Sequence, residues 1–471
     1  MNKNLPESIG VYYEENVPDT LDLAEHARYG LNHFMSSSLE ELGYEIPFLI
    51  DFSCRRPPCL NIHFGQMTCQ TKILEAIVFL RIMSGSTEKL EHQQKMVEMM
   101  ISLIREDGLF WFPEKTDNKP WYKDEPLAMT HAQTRMMRAM IAWYQYTKDE
   151  QWKSRIDKMV NGIDQLMVVH KDDYAYIPIG GYYPEEYVRS CYTKRGWKDT
   201  TEPSDEKSGE EGSLFCHQGH TPGALSNWYR LTGNKQALRL AGELVRFYIK
   251  PKFWADWKGG EYLLTIGADH AHWTGHLHGH VNTLRAILEY AIVTNDVRLK
   301  QFVRDGYEWS RQSMLSRIGY VGDGQGCGCA RLIGLATKLS YCGIGDYWED
   351  IDLYIRNHGT EAQFTYNDIP ILKNISEQKP GIFSPFDNED DIFPPLYNTA
   401  PIAYDAVIGA FSLGINVETE VGHVSKAQSI TCCSSHGNMG LFYAWDGILR
   451  HFNGVVQVNL LINRASPWMD I

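Results

Sequence analysis

The chain has 471 residues, of which 43% are hydrophobic and 22% charged, a composition that excludes a disordered protein. The formal net charge of −14 argues against a nucleic-acid partner, because phosphates would not be neutralised. The longest apolar runs, such as residues 76–80, are too short to span a bilayer, so we expect no membrane partner. We expect one large domain, alone or with an appendage.

The amino-terminal segment lacks the apolar stretch of a signal peptide, so we expect a cytoplasmic protein. Ten cysteines, several of them adjacent or nearly so, fit a reducing compartment better than a disulfide framework. The 13 Trp and 26 Tyr residues are of the kind that line sugar-binding clefts, although core packing also uses them.

A weak repeat of helical hairpins runs along the chain. Five times an amphipathic helical stretch ends at a small polar turn, and a second helical stretch follows. Gly, Asn or Asp in each turn is typical of a helix end and of the next N-cap. Repeated hairpins bury their apolar faces against each other, and five or six can close into a ring. The sequence therefore predicts an all-α (α/α)6 toroid with turns that contain Gly85, Lys148, Gly233, Asn295 and Gly345.

The carboxyl-terminal stretch changes character. Residues 454–463 are rich in β-branched side chains, which is typical of strands. We therefore predict a barrel domain over residues 1–450 and the start of a truncated β-sandwich over residues 451–471. Exposed apolar surface at that edge predicts either poor solubility or a partner chain, such as a second copy in a homo-oligomer.

Two pairs of cysteines are the strongest candidates for chemistry. Cys327 and Cys329 lie in a Gly-rich loop before a helix that we expect to begin near Arg331, and the adjacent Cys432 and Cys433 precede another helical stretch. Adjacent cysteines do not readily bridge, because a disulfide prefers Cα atoms about 5.5 Å apart and a trans peptide holds neighbours at about 3.8 Å. Four thiolates suit a tetrahedral metal site, and we expect the metal to be zinc. The alternative is four buried thiols that pack as small hydrophobic groups.

Histidines form a second group of candidates. Five lie within residues 269–282, but a spacing of two puts side chains on one face only in a strand, and we expect a helix from Val281. We therefore expect ligand hydrogen bonds from one or two of them rather than a second metal site, with solvated loop histidines as the alternative. His220, at the entrance of the third hairpin, would face the cavity of the toroid, with a capping or packing role as the alternative.

Carboxylates for acid–base chemistry are harder to select. Asp323, in the loop that carries the first cysteine pair, is the first candidate. Glu418 and Glu420 come next, with a solvated surface position as the alternative for each. A pair of carboxylates at the spacing used for hydrolysis cannot be identified from sequence.

The cysteine and histidine motifs carry a family resemblance. Residues 430–438, Ile-Thr-Cys-Cys-Ser-Ser-His-Gly-Asn, are followed by a Val-Asn-Leu strand. This segment resembles the β-L-arabinofuranosidase family, glycoside hydrolase family 127. Further similar motifs occur in the family's order over roughly residues 130–463, and they are Gly219-His220, Trp228 to Gly233, His280 to Thr283, and Cys329-Ala330.

The resemblance implies an (α/α)6 barrel with a zinc ion held by three cysteines and a glutamate, one cysteine being the nucleophile of a retaining glycosidase. Carried over by position, Cys432 would be the nucleophile and a zinc ligand, and Cys329 and Cys433 would be further ligands. His220 and His280 would hold sugar hydroxyls. Zinc would keep the nucleophile as a thiolate near neutral pH.

The chain departs from the family pattern at several positions. Cys327 replaces the liganding glutamate, and a site of four thiolates would be closed and structural. The loop that carries the family's acid/base glutamate is shortened, which leaves Asp323 as its substitute. Ile430 and Arg135 stand where the family has histidines, so sugar recognition must differ.

We therefore expect a retaining glycoside hydrolase that acts on a glycan, with Cys432 as nucleophile and Asp323 as acid/base. One alternative is an inverting glycosidase with a carboxylate pair and structural cysteines. The other is a non-catalytic glycan-binding protein in which zinc joins two loops.

Overall fold

The computed structural model describes residues 21–52, 59–61, 66–117, 119, 122, 124, 127–170, 173–177, 191–193, 196–197, 218–250, 254, 277–314, 317–321, 324–378, 400–413 and 425–464. Within these ranges the main elements are helices, with short antiparallel strands between them. The helices are α1 (Leu23–Ser37), α2 (Gln66–Ser84), α3 (Leu90–Ser102), α4 (Thr130–Thr147), α5 (Glu150–Leu166), α6 (Thr221–Thr232), α7 (Lys235–Tyr248), α8 (Leu277–Val293), α9 (Val297–Met314), α10 (Gly326–Tyr341), α11 (Trp348–Tyr354), α12 (Ile369–Gln378), α13 (Ala400–Ala406) and α14 (Thr431–Ile448).

Six of these helices form a closed inner ring. Helices α2, α4, α6, α8, α10 and α14 each contact the next one in chain order, and α14 returns to contact α2. The closing contact includes stacked rings of Phe79 and Phe442, whose centroids lie 4.2 Å apart. The predicted (α/α)6 toroid is therefore confirmed.

Each of the five predicted turns joins an inner helix to an outer one, from α2–α3 to α10–α11. Asn234 Oδ1 accepts a hydrogen bond from the Ala237 amide at 3.0 Å, and Asp296 Oδ1 accepts one from the Leu299 amide at 3.0 Å. The polar residue of the turn thus caps the outer helix. Gly233 ends α6 with φ of +76°, a conformation that favours glycine. The sixth pair is completed by α1, which packs against α2 and α14.

Inner and outer helices differ in burial, as their positions require. The outer helix α7 buries one face, with Leu240 and Leu244, and exposes Arg239 and Arg246. In the inner helix α10 nearly every residue from Gly326 to Leu339 is buried. A helix that is buried all round belongs inside a larger core, and any charged side chain on it needs a specific explanation.

The strands are short. β1 (Leu49–Asp51) pairs with β2 (Cys59–Asn61) and with β8 (Gln428–Ile430), which leads directly into α14. The other small sheets consist of β3 (Ala128–Met129) with β6 (Cys191–Thr193) and β7 (Gly196–Trp197), of β4 (Val168–His170) with β5 (Tyr174–Tyr176), and of β9 (Leu449–Phe452) with β10 (Val455–Val458).

The carboxyl-terminal hairpin β9–β10 matches the predicted change to strand character. Phe452, Val455 and Leu461 are 56%, 61% and 82% exposed, whereas Leu460 and Ile462 are buried. The predicted boundary at residue 450 and the β-sandwich beyond it stay predictions. No helix of the described ranges combines the length and the apolar character that crossing a membrane requires.

Candidate functional site

The inner helices all begin at one end of the toroid, because each outer helix returns the chain to that end. We call it the loop end, since the longer connections enter α2, α4, α6, α8, α10 and α14 there. The opposite end, at the short turns, is the turn end. Polar side chains recur on these helices at spacings of three and four, which place them on one helical face. Examples are Lys72 and Glu75 on α2, Arg135 and Arg138 on α4, and Cys432 and His436 on α14.

Three of the four predicted cysteine ligands lie together at the loop end. The Sγ atoms of Cys433 and Cys327 are 3.9 Å apart, and the thiols of Cys432 and Cys433 are hydrogen bonded. Cys329 is separate, because its Sγ contacts the Tyr354 carbonyl oxygen at 3.9 Å on the outer side. Cys69 of α2, which has no neighbouring cysteine in the sequence, joins the cluster close to Cys432 and Cys327.

The position of α10 explains why Cys329 is separate. The helix begins at Gly326 and not near Arg331 as predicted. Residues two apart on an α-helix point in nearly opposite directions, since each residue turns by about 100°. Cys327 and Cys329 therefore cannot both face the axis. Likewise α14 begins at Thr431, so that the adjacent Cys432 and Cys433 lie within it rather than before it.

The described donors do not assemble the predicted four-thiolate zinc site. The separation of Cys327 and Cys433 would suit two ligands of one zinc ion, with Zn–S bonds of about 2.3 Å. The Cys329 thiol instead meets a backbone carbonyl. In the part of the chain that the structure describes, no group of three or more His, Cys, Asp or Glu side chains is placed to hold a metal ion. Zinc stays a prediction, and Asp323, Glu418 and Glu420 lie outside the described residues.

The charge around the cysteines favours one thiolate. The hydrogen bond to Cys433 lowers the pKa of Cys432 to about 7, with further contributions from Lys72 and Arg135. Hydrogen bonds to Cys327 and Cys432 raise the pKa of Cys433 well above its ordinary value. Cys432 is therefore the thiolate of the pair, and this pattern is typical of a reactive cysteine.

Three histidines face the axis one turn further from the loop end. The rings of His278 and His436 lie 4.4 Å apart. Burial, together with Arg135 and Arg138, holds the pKa of His220 well below its usual range. Burial and Arg331 do the same for His436. Both imidazoles are therefore neutral at pH 7 and can donate or accept a proton.

His220 lies on the axis as predicted, but His280 does not. His280 follows His278 by two residues on α8 and faces away, with its ring 5.4 Å from that of Trp254. The helix begins at Leu277 rather than at Val281, so the two histidines point in opposite directions. The sugar-binding roles proposed for both residues stay predictions, and His270, His272 and His276 lie outside the described residues.

Two cavities lie on the axis. One of about 590 Å³ extends toward the turn end and is lined by all six inner helices. Its carboxylates include Glu75, bonded to Arg138 at 2.7 Å, and Glu289, bonded to Lys338 at 2.9 Å. A smaller cavity of about 10 Å³ lies nearer the cysteines. It is lined by Lys72, Glu75, Arg135, Arg138, His220, His278, Asn282, Arg331 and His436.

Sequence reasoning missed Lys72, Arg331 and the pairing of His278 with His436. None of these residues belongs to a motif that signals chemistry by itself. The available signal was a charged residue inside a strongly apolar helical stretch, as Lys72 is within the buried part of α2. Charged side chains are rarely buried without a partner, so such positions are candidates for a site.

Comparisons with known proteins identify the fold. No family model and no curated protein sequence matches the chain. A GH76 α-1,6-mannanase from Salegentibacter sp. HEL1_6 is 11% identical, with 90% of this chain and 100% of that one covered and a TM-score of 0.54. A GH76 α-mannanase from Bacteroides thetaiotaomicron is 9% identical, with 90% and 95% covered and a TM-score of 0.53. Cellobiose 2-epimerase from Bacillus thermoamylovorans B4167 is 12% identical, with 90% and 99% covered and a TM-score of 0.53. The chain therefore has the same (α/α)6 toroid fold as these structures.

Proposed function

We propose that the chain is a carbohydrate-active enzyme, a glycoside hydrolase that binds its sugar on the axis of the toroid. The observation that carries the proposal is the column of ionisable side chains on the axis. A thiol cluster, buried cations and neutral histidines adjoin a cavity of about 590 Å³. An inactive variant of the Salegentibacter mannanase was solved with α-1,6-mannotetrose, which supports a carbohydrate ligand for this fold.

Two routes to hydrolysis fit the residues. On the first, which the resemblance to family 127 suggests, the Cys432 thiolate attacks the anomeric carbon while the glycosidic C–O bond breaks. An acid, for which Asp323 is the candidate, protonates the leaving oxygen, and water then displaces the thiolate. Lys72 and Arg135 support this route because they favour the thiolate.

On the second route a pair of carboxylates activates water and protonates the leaving group with inversion, and the cysteines only pack. Glu75 and Glu289 line the axial cavity, and further carboxylates lie outside the described residues. The solved structures of similar fold reported above are mannanases and an epimerase rather than arabinofuranosidases. They support the second route better than the first.

A panel of aryl glycosides tests the proposal and separates the routes. We expect turnover by the intact chain, an inverted product anomer by NMR, and activity that survives in Cys432→Ser. Loss of activity in that variant with a retained anomer would select the first route, and zinc analysis of the purified protein would show whether metal accompanies it. Cys342→Ser, at the turn end, is the matched control. Absence of turnover on every glycoside would refute hydrolysis.

A second candidate function is epimerisation or isomerisation of a reducing sugar. The contact between His278 and His436 favours it, because exchange of a proton next to a carbonyl needs one group to remove the proton and another to return it. The cellobiose 2-epimerase shares the fold. Incorporation of deuterium at C2 of a reducing sugar in D₂O, lost in His436→Asn, would support this function, and no incorporation would exclude it.

A further inference from the structure

The smaller axial cavity is surrounded by an excess of positive charge. Lys72, Arg135, Arg138 and Arg331 line it, and Glu75 is the one carboxylate among its described lining residues. Glu75 is bonded to Arg138 at 2.7 Å. The excess of cations does not follow from composition, since the chain as a whole carries a net charge of −14.

Arg331 is the most unusual of these cations. Its side chain is on the inner helix α10 and the residue is 3% exposed, yet its Nε and Nη1 atoms have no hydrogen-bond partner within the described residues. Arg285, whose guanidinium lies 4.0 Å from the centre of the Tyr443 ring, has the same two atoms unbonded there. Burying a charged group without an acceptor costs several kcal/mol. A ligand that supplies the acceptor would offset this cost.

Neutral polar groups lie beside the cations. His220 and Asn282 line both axial cavities. Both ring nitrogens of His220 and the Oδ1 atom of Asn282 are buried and have no partner among the residues described. A neutral imidazole and an amide donate and accept hydrogen bonds, as hydroxyl groups require. The axis therefore offers sites for hydroxyls next to a site for an anion.

We propose that the ligand of the axis is an acidic sugar that lies in the larger cavity. One oxygen atom of its carboxylate or phosphate group occupies the smaller cavity, which has room for about one water, and binds Arg331, while His220 and Asn282 bind its hydroxyls. The sugar part of this inference rests on the proposed function, and the anionic part rests on the buried guanidinium. The planar fork of an arginine binds both carboxylate and phosphate groups with two hydrogen bonds. Arg285 lines the larger cavity, where its positive charge also attracts the anionic group.

Calorimetric titration of the intact chain tests this inference. The probes are glucuronate, galacturonate, glucose 6-phosphate, glucose and inorganic phosphate at equal ionic strength. We expect at least one acidic sugar to bind about tenfold or more tightly than glucose, and Arg331→Gln to remove about a tenfold advantage, since a hydrogen bond to a charged group contributes about 1.5–3 kcal/mol. The uronates and the sugar phosphate distinguish the two sources of the anion. Arg239→Gln, on the outer surface, is the matched control.

Folding is monitored independently. Arg331→Gln removes an uncompensated buried charge, so its thermal midpoint should equal or exceed that of the wild type. If that variant does not fold, Arg285→Gln takes its place with the same expected loss of preference. Equal affinity for glucose and the acidic sugars, no binding of any acidic sugar, or inorganic phosphate binding as tightly as the sugars would each overturn the inference.

The binding assay does not depend on turnover, so the two proposals fail separately. Binding of acidic sugars without hydrolysis of any glycoside would refute the proposed hydrolase function and support the proposed anion site. Hydrolysis of neutral glycosides that no acidic sugar inhibits would support the proposed hydrolase function and refute the proposed anion site.

Discussion

The ion pair between Glu75 and Arg138 is central to the charge of the axis. Glu75 Oε1 accepts from the Arg138 guanidinium at 2.7 Å, and the two side chains are 9% and 17% exposed. Arg138 also donates to the Tyr443 hydroxyl at 3.3 Å. Both charged groups thus lie inside the ring, where the charge of each side chain is neutralised by the other.

We predict that Glu75→Gln lowers the free energy of unfolding by about 3 kcal/mol, because it leaves the Arg138 charge buried and unpaired. Urea denaturation measures the loss. Glu98→Gln is the matched control, since Glu98 pairs with Lys95 at 3.2 Å on the surface with both side chains about half exposed. Solvent screens an exposed pair, which therefore contributes little to stability, so similar losses in the two variants would contradict the prediction.

His33 makes the stability of the fold depend on pH. Its Nδ1 donates to the Ala406 carbonyl oxygen at 2.6 Å, which joins α1 to α13. Burial lowers the pKa of His33 to about 4 from an ordinary value of 6.5, and the hydrogen bond to Ala406 opposes this shift. In the unfolded chain His33 therefore binds a proton below about pH 6.5, whereas in the folded chain it binds one only below about pH 4.

We therefore predict that the free energy of unfolding falls as the pH drops from 6.5 to 4. The contribution of His33 to this fall is about 3 kcal/mol, because each pKa unit corresponds to about 1.4 kcal/mol. His220 and His436 shift in the same direction, so the wild-type profile contains several contributions. Urea denaturation of wild type and His33→Asn at several pH values isolates the share of His33, because the variant lacks that titration. Parallel profiles for the two proteins would show that His33 does not contribute.

At the level of the helices, the starting residue of each inner helix decided which predicted side chains meet. Cys329 and His280 follow Cys327 and His278 by two residues, and both pairs proved to lie inside helices. A sequence motif identifies residue types but not their direction, which changes by about 100° per residue. The motifs could therefore locate the loop end of the site, but could not specify which half of each motif faces the axis.

Close contact between inner helices depends on glycine. A Cβ atom added to Gly440 of α14 would lie 2.7 Å from Ala330 Cβ and 2.9 Å from Ala330 Cα of α10. Neither atom can move without a shift of the α10 backbone. We predict that Gly440→Ala lowers the free energy of unfolding by about 2 kcal/mol, in the range of overpacked cores.

Gly242 of the outer helix α7 provides the comparison. An added Cβ there would lie 2.7 Å from the Tyr290 hydroxyl oxygen, at the end of a half-buried side chain that can move. Alanine also favours the helix over glycine by up to about 1 kcal/mol. Gly242→Ala should therefore cost little or be neutral in the same urea experiment. Equal losses of unfolding free energy in both variants would mean that the close spacing of α10 and α14 does not determine the cost of the substitution.

For the whole molecule, the sequence was informative about local hairpins and less so about closure. The five turns were predictable because Gly, Asn and Asp mark helix ends locally. The sixth pair was not, since α1 and α14 come from opposite ends of the chain and no local signal records their contact. The charge of the axis was equally hidden, because Lys72, Arg135 and Arg331 converge only after the ring has closed.

Closure of the ring should make the toroid unfold as one unit. Phe79 and Phe442 stack at 4.2 Å between the first and last inner helices, so removing one ring weakens a contact on which both ends of the chain depend. We predict that Phe442→Ala lowers the free energy of unfolding by about 2 kcal/mol, from lost burial and lost stacking. Phe452→Ala, whose residue is 56% exposed, should change it by at most about 0.5 kcal/mol. Tryptophan fluorescence and far-ultraviolet circular dichroism should report one coincident transition in each variant, and separate transitions would show that the hairpins unfold independently.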